Sequence, residues 1–159
     1  MAFRSEILIK LDKKGRVLLP ASFRDELPEN DRGAFVLYRS STEKGVINGN
    51  SSTGFDAMVA RVRAELMAEK GAFSVDLDDH GFNPVRFLNS TSRNVPMESD
   101  GRFTLPADFA ELLDVADGVM LVGAGDMFQL WNPKRWQARR DADEERMAAF
   151  IRGAGRGRA

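Results

Sequence analysis

One segment of this chain is written twice. Residues 11–27 read LDKKGRVLLPASFRDEL, and residues 97–113 read MESDGRFTLPADFAELL. At a shift of 86, without a gap, seven of 17 positions are identical: Gly15/Gly101, Arg16/Arg102, Leu19/Leu105, Pro20/Pro106, Ala21/Ala107, Phe23/Phe109 and Leu27/Leu113. Leu11/Met97, Asp12/Glu98, Val17/Phe103 and Asp25/Glu111 are conservative pairs. Keeping a Gly-Arg and a Leu-Pro-Ala in register is hard to ascribe to chance. The chain is therefore built from two copies of one small unit.

Each copy parses into the same elements. An apolar run (Ile7-Leu8-Ile9-Lys10-Leu11 in the first copy) is followed by a polar turn ending in glycine, a residue that adopts turn conformations at little steric cost. A short second strand comes next, Val17–Leu19 or Phe103–Leu105. Proline then starts a short helix, where its missing N–H does no harm. The helix places Phe23 and Leu27 four residues apart on one face, ready to pack on the strands. A further strand closes each unit, Ala34–Tyr38 or Val119–Val122, and the second unit adds Met127–Trp131. The fold class read from this is mainly β with short α-helices.

The flanking segments differ. Phe55, Met58, Val59, Val62 and Leu66 recur at helical spacing after Gly54. Asn132-Pro133 opens another helix, from Lys134 to about Ile151, that carries Trp136, Met147 and Phe150. The organisation read is a first unit at 5–52, an amphipathic helix and connecting loop at 53–90, a second unit at 91–137 and a C-terminal helix at 138–151. Residues 152–159 are glycine-rich and basic, which reads as a disordered tail.

Composition excludes more than it assigns. With 159 residues, 43% of them hydrophobic and 30% charged, the chain can bury a real core. There is no cysteine, hence no disulfide framework, no thiolate nucleophile and no cysteine-ligated zinc. No segment approaches the ~18 consecutive apolar residues of a membrane span, and Met1–Glu6 has no leader-like apolar core, so a soluble, intracellular protein is expected. His80 stands near Asp76, Asp78 and Asp79, but no second histidine supports a metal site there, and a solvated loop is the reading. Gly123-Ala-Gly125 lacks the third glycine of a dinucleotide fingerprint and leads into a strand, so it is a turn. The serines have no base partner, and no carboxylate pair stands out. Neither a catalytic residue nor a cofactor is expected.

Net charge is −1, from 23 basic and 24 acidic residues, so a nucleic-acid binder of this composition must gather its cations on one surface. Residues 10–24 do gather them: Lys10, Lys13, Lys14, Arg16 and Arg24 against Asp12 alone, a sum of +4. The stretch 97–113 sums to −3, with Arg102 against Glu98, Asp100, Asp108 and Glu111. A positive hairpin tip neutralises phosphates and gives salt-dependent affinity. Arginine's planar fork can take two acceptors on guanine, and lysine serves phosphate as a point charge. The expected division of labour is Arg16 on a base edge, Lys13 and Lys14 on the backbone, and Asp12 orienting the Arg16 guanidinium. A Lys-Lys-Gly turn is also what a solvated hairpin tip looks like. The repeated Gly-Arg argues against that, since solvation alone has no need of the same arginine twice. For Arg102, in its acidic loop, an internal salt bridge and a DNA contact both stay open.

Asp12-Lys-Lys-Gly-Arg16 followed by Leu19-Pro20-Ala21 resembles the repeated signature of the MraZ family, double-unit relatives of the AbrB-like swapped-hairpin DNA binders. Gly101-Arg102, Leu105-Pro106, Val122-Gly123-Ala-Gly125, Phe128-Gln-Leu-Trp131-Asn-Pro133 and Trp136 extend the likeness over roughly residues 5–150. The resemblance implies two tandem swapped-hairpin units forming a pseudo-twofold, β-barrel-like module. It also implies homo-oligomeric rings that bind short direct repeats of double-stranded DNA, repressing their own promoter at the division and cell-wall gene cluster. Cytoplasmic, nucleoid-associated localisation follows from that role, with no membrane and no small-molecule substrate. The family's Asp-x-x-x-Arg motif falls on Asp12 and Arg16. In the second copy Glu98 replaces the aspartate, and pairing of Glu98 with Arg102 is the expectation there. Met58, Val62, Leu66 and Trp136 either form subunit interfaces or cover their own chain. Rival readings are an antitoxin-like AbrB relative, whose tail folds on a toxin, and an oligomeric scaffold without specific DNA binding.

Overall fold

The computed structural model describes residues 2–70 and 81–156, with the side chains of Lys70 and Arg156 left aside. The acidic segment with Asp76, Asp78, Asp79 and His80 lies outside the described residues, as do residues 157–159. The elements run β1 (Glu6–Lys10), β2 (Arg16–Leu18), α1 (Ala21–Arg24), a 3-10 turn (Glu29–Asp31), β3 (Ala34–Arg39), β4 (Ile47–Asn50) and α2 (Ser52–Lys70). Then come α3 (Pro84–Ser90), β5 (Arg93–Pro96), β6 (Arg102–Thr104), α4 (Ala107–Leu113), β7 (Gly118–Gly123), β8 (Phe128–Trp131) and α5 (Pro133–Arg156).

The repeat becomes a pseudo-twofold axis. Six strands form one antiparallel sheet in the order β1-β7-β8-β4-β3-β5, and β2 pairs with β6 in a separate ribbon. Exchanging each strand with its counterpart in the other copy reverses the sheet order and leaves it otherwise unchanged. The axis runs between β4 and β8 and again through the ribbon, where Val17 faces Phe103. Those residues are related by the 86-residue shift of the sequence repeat. The units are swapped: β1 pairs with β7, and β5 with β3, so neither unit completes a sheet alone.

The core lies between the inner face of the sheet and the ribbon. Phe35, Leu37, Ile47, Leu121, Phe128 and Leu130 from the sheet meet Val17 and Phe103 from the ribbon. Phe23 from α1, Leu27 from the turn after it (the helix ends at Arg24, short of the expected Phe23–Leu27 face), and Phe109 and Leu113 from α4 close the sides, each no more than 1% exposed. Edge-to-face ring contacts, such as Phe35 on Phe103 at 4.9 Å, set the packing near the axis. Pro20 and Pro106 stand at the N-cap, one position before the helices they start, with no side-chain cap bond at either helix.

The long helices follow β4 and β8 and cover the outer face. Val36, Tyr38 and Phe55 meet Met58, Val59 and Val62, so the amphipathic stripe of α2 packs on its own sheet. On the other half, Trp136 packs against Trp131 and Val122 and donates to Glu6 at 2.9 Å. Its ring therefore covers its own chain. Helix α5 begins at Pro133, so residues 133–137 are its first turn rather than the end of the second unit. It continues through Arg156, which makes 152–156 helical where the sequence suggests a disordered tail. Among the described residues no helix is long and apolar enough to cross a membrane.

Candidate nucleic-acid interface

The β2–β6 ribbon is the structural consequence of strand periodicity. Side chains alternate across a strand, so Val17 and Phe103 point inward and are buried. Their neighbours Arg16, Leu18, Arg102 and Thr104 then face outward, with Arg16 opposite Thr104 and Leu18 opposite Arg102. Arg16 and Arg102 thus sit at diagonal corners of one outward surface, related by the pseudo-twofold. Leu18, 46% exposed, supplies an apolar contact between them. Leu18 and Thr104 were not singled out from sequence, although the period-two rule applied to the repeated strand finds them.

Two hairpin loops flank the ribbon and share one backbone design. In the first, Asp12 N–H donates to Arg16 O and Gly15 N–H donates to Asp12 O, each at 3.0 Å. Glu98, Gly101 and Arg102 repeat the pattern at 2.8 and 2.9 Å. Gly15 has φ +79° and Gly101 φ +97°, values that favour glycine. Each loop also clasps the other unit: Leu19 N–H donates to Gly101 O and Leu105 N–H to Gly15 O. A Cβ on Gly101 would meet Leu19 O at 2.6 Å, which accounts for glycine there twice over.

The side chains depart from the sequence expectation in two places. Asp12 does not hold the Arg16 guanidinium. Its Oδ1 accepts from the backbone N–H of Lys14 at 2.9 Å and of Arg16 at 2.8 Å, fixing the loop itself. The Arg16 N–H bond, above all, lowers the Asp12 pKa from its ordinary 3.8, because it favours the carboxylate. The Arg16 guanidinium instead reaches Glu98 in the other unit, Nη2 to Oε1 at 3.0 Å. Nor does Glu98 pair with Arg102, whose Nε lies 3.5 Å from Asp100. Glutamate is too long to repeat the loop-capping role of Asp12, and Asp100 accepts the Arg102 N–H at 3.1 Å in its place.

Arg24 also leaves the patch that the sequence assigned to it. Its Nη1 donates to Ser99 O at 3.2 Å, and its Nε is buried without a hydrogen-bond partner. It braces the second loop from the first unit. What remains exposed beside Arg16 is Lys10, Lys13 and Lys14. Lys10, Asp12, Arg16, Leu18 and Arg102 line one open cleft of about 320 Å³, and Arg16, Glu98, Arg102 and Thr104 help to line another of about 400 Å³. The structure therefore puts Arg16 and Arg102 on the ribbon and gathers Lys10, at the end of β1, and the loop residues Asp12, Lys13, Lys14 and Glu98 around it.

Swapped hairpins duplicated within one chain, with an arginine at each end of an exposed ribbon, define a two-unit, mixed α+β protein. A family model described as "MraZ protein, putative antitoxin-like" matches residues 89–156. The transcriptional regulator MraZ of Rhodospirillum rubrum is 32% identical over 136 residues, spanning 82% of this chain and 79% of the relative. That of Pseudomonas syringae pv. syringae is 27% identical over 141 residues, 89% and 87% of the two chains. The protein of the same name from Ligilactobacillus salivarius is 24% identical over 143 residues, 90% of each. The chain belongs to the MraZ family.

Proposed function

We propose that this chain is a sequence-specific DNA-binding transcriptional regulator that reads double-stranded DNA with the outward face of its β2–β6 ribbon. The observation that carries this reading is the placement of Arg16 and Arg102 on the outward face of one two-stranded ribbon, with Lys10, Lys13 and Lys14 beside Arg16. A two-stranded ribbon fits the major groove of B-form DNA, where a guanidinium takes guanine O6 and N7 together. The lysines grip phosphates, releasing counterions and steepening the salt dependence. Buried Val17 and Phe103 anchor the ribbon to a rigid core, so the arginines arrive preorganised.

One ribbon offers few contacts. The reading therefore includes assembly into a homo-oligomeric ring that sets several ribbons on successive direct repeats, where linkage raises effective concentration. The exposed stripe of Met147, Phe150 and Ile151 on α5 supports a subunit contact, and every residue from 141 to 155 is exposed in the single chain. Repression of its own promoter at the division and cell-wall gene cluster, by a nucleoid-associated cytoplasmic protein, completes the proposal. Selection of bound fragments from genomic DNA, followed by sequencing, tests it. Direct repeats upstream of its own gene are the expected yield. Recovery of bulk sequence without preference overturns the regulator reading and favours a scaffold.

A further inference from the structure

The contact between Arg16 and Glu98 has a direction that the sequence repeat does not. Glu98 belongs to the second unit's loop and Arg16 to the first unit's strand, and they meet at 3.0 Å across the pseudo-twofold. The symmetric counterpart would join Asp12 to Arg102. It does not form: Asp12 caps its own loop through the Lys14 and Arg16 amides, and the Arg102 guanidinium lies against Asp100 instead. One arginine is thus held by a carboxylate of the opposite unit, while the other leans on Asp100 in its own loop.

We propose that Glu98 is a positioning and specificity-determining residue, which orients the Arg16 fork for base reading and penalises loose association with phosphate. This rests on the reading of the ribbon as a DNA-binding face. A carboxylate holding one guanidinium nitrogen restricts the arginine's rotamers before binding, and ordering done beforehand is not charged against the complex. Among the described residues only Nη2 has a partner, so the remaining N–H groups face acceptors on a base edge. Any phosphate close enough to pair with Arg16 also meets the negative charge of Glu98. The correct base edge is neutral and does not. Discrimination thus gains from a repulsive element as well as an attractive one.

Length separates this role from mere charge. Glu98→Gln keeps the shape and removes the charge. Glu98→Asp keeps the charge but draws it back by about 1.5 Å, one C–C bond, and suits it to capping its own loop as Asp12 does. The probes are the duplex best enriched by selection and a scrambled duplex of the same composition, titrated against full-length protein over a range of salt.

For Glu98→Gln, affinity for the scrambled duplex is expected to rise about three- to tenfold while the ratio of enriched to scrambled affinity falls about tenfold. For Glu98→Asp, affinity for the scrambled duplex stays near that of the parent and affinity for the enriched duplex falls. In an Arg16→Ala background both substitutions lose their effect on the ratio. Unchanged ratios in both variants, or equal effects with and without Arg16, overturn the proposal. Thermal unfolding of each variant guards against a folding defect: a ratio that falls only in step with lost stability also overturns it. If the parent protein itself shows no preference for any duplex, the DNA-reading function fails. A preference that survives both Glu98 substitutions sinks only the role given to Glu98.

Discussion

The two hairpin loops share a backbone and differ in wiring. Both close with the same hydrogen bonds, both turn on a positive-φ glycine, and both lend that glycine's carbonyl to the opposite unit's leucine. Side chains then break the symmetry. The first loop is capped by Asp12 and leaves Lys13 and Lys14 exposed, whereas the second carries Glu98 and Asp100 and is braced by Arg24. Duplication thus preserves what the backbone requires and releases what only the charge pattern uses. One loop has become the cationic half of the ribbon. The other supports it.

The largest effect should come where the units meet. Phe103→Ala empties the axis of the core and is expected to cost about 3–5 kcal/mol, against about 1.5–2.5 kcal/mol for Val17→Ala opposite it. Chemical denaturation checks the order; equal costs would mean that the larger ring does not dominate the contact. On function, Arg16→Ala should lower the preference for an enriched duplex over a scrambled one roughly tenfold to a hundredfold, with the fold intact. Arg102→Ala, in its acidic loop, should cost about threefold or less. A gel-shift titration in which Arg102→Ala matches or exceeds Arg16→Ala would remove the asymmetry between the loops.

A smaller change should follow Arg24→Met, which loses the bond to Ser99 O but also the buried unpartnered Nε. Stability should move by no more than about 1 kcal/mol, while amide exchange quickens at residues 99–102 and not at 13–16. Quickening in both loops alike would show that the brace serves the whole ribbon. The subtlest test is titration of Asp12. Its folded pKa is lowered, so its hold on the loop is complete above 3.8 and is lost as pH falls through the lower folded value. An NMR titration should place the carboxyl midpoint below 3.8, with the Lys14 and Arg16 amides following the same curve. A midpoint at or above that value would remove the bonds as the cause.

Strands whose hydrophobic pattern was plain could be read from sequence, and those that mix polar and apolar residues, β4 and β5, could not. Ile47–Asn50 carries two asparagines and a glycine, yet it pairs with both β3 and β8 near the axis. It is a strand because its neighbours are: Gln129 donates to Asn48 at 3.1 Å, and Gly49 leaves room for the Phe128 ring. Helix α3 falls where a connecting loop was expected, although its start was marked by Asn83-Pro84. The Asn83 side chain accepts the Arg86 N–H at 3.0 Å. At the candidate site, Arg16, Lys13 and Lys14 could be singled out because a repeated motif and a charge imbalance are linear properties. The partner of Arg16 could not, since it lies 82 residues away in the other unit.

The sequence alone determined that two like units exist, where their turns fall, which residues form the core faces and which loop is basic. These follow from periodicity, glycine placement and local charge, all properties of neighbours along the chain. Strand exchange between units was implied by the resemblance rather than by the residues, and tertiary structure alone decided that Glu98 rather than Asp12 holds Arg16 and that Arg24 turns from the patch to the opposite loop. The reason is geometric. Asp12 turns back to the amides of its own loop, and the swap brings Glu98 of the other unit within reach of the Arg16 guanidinium.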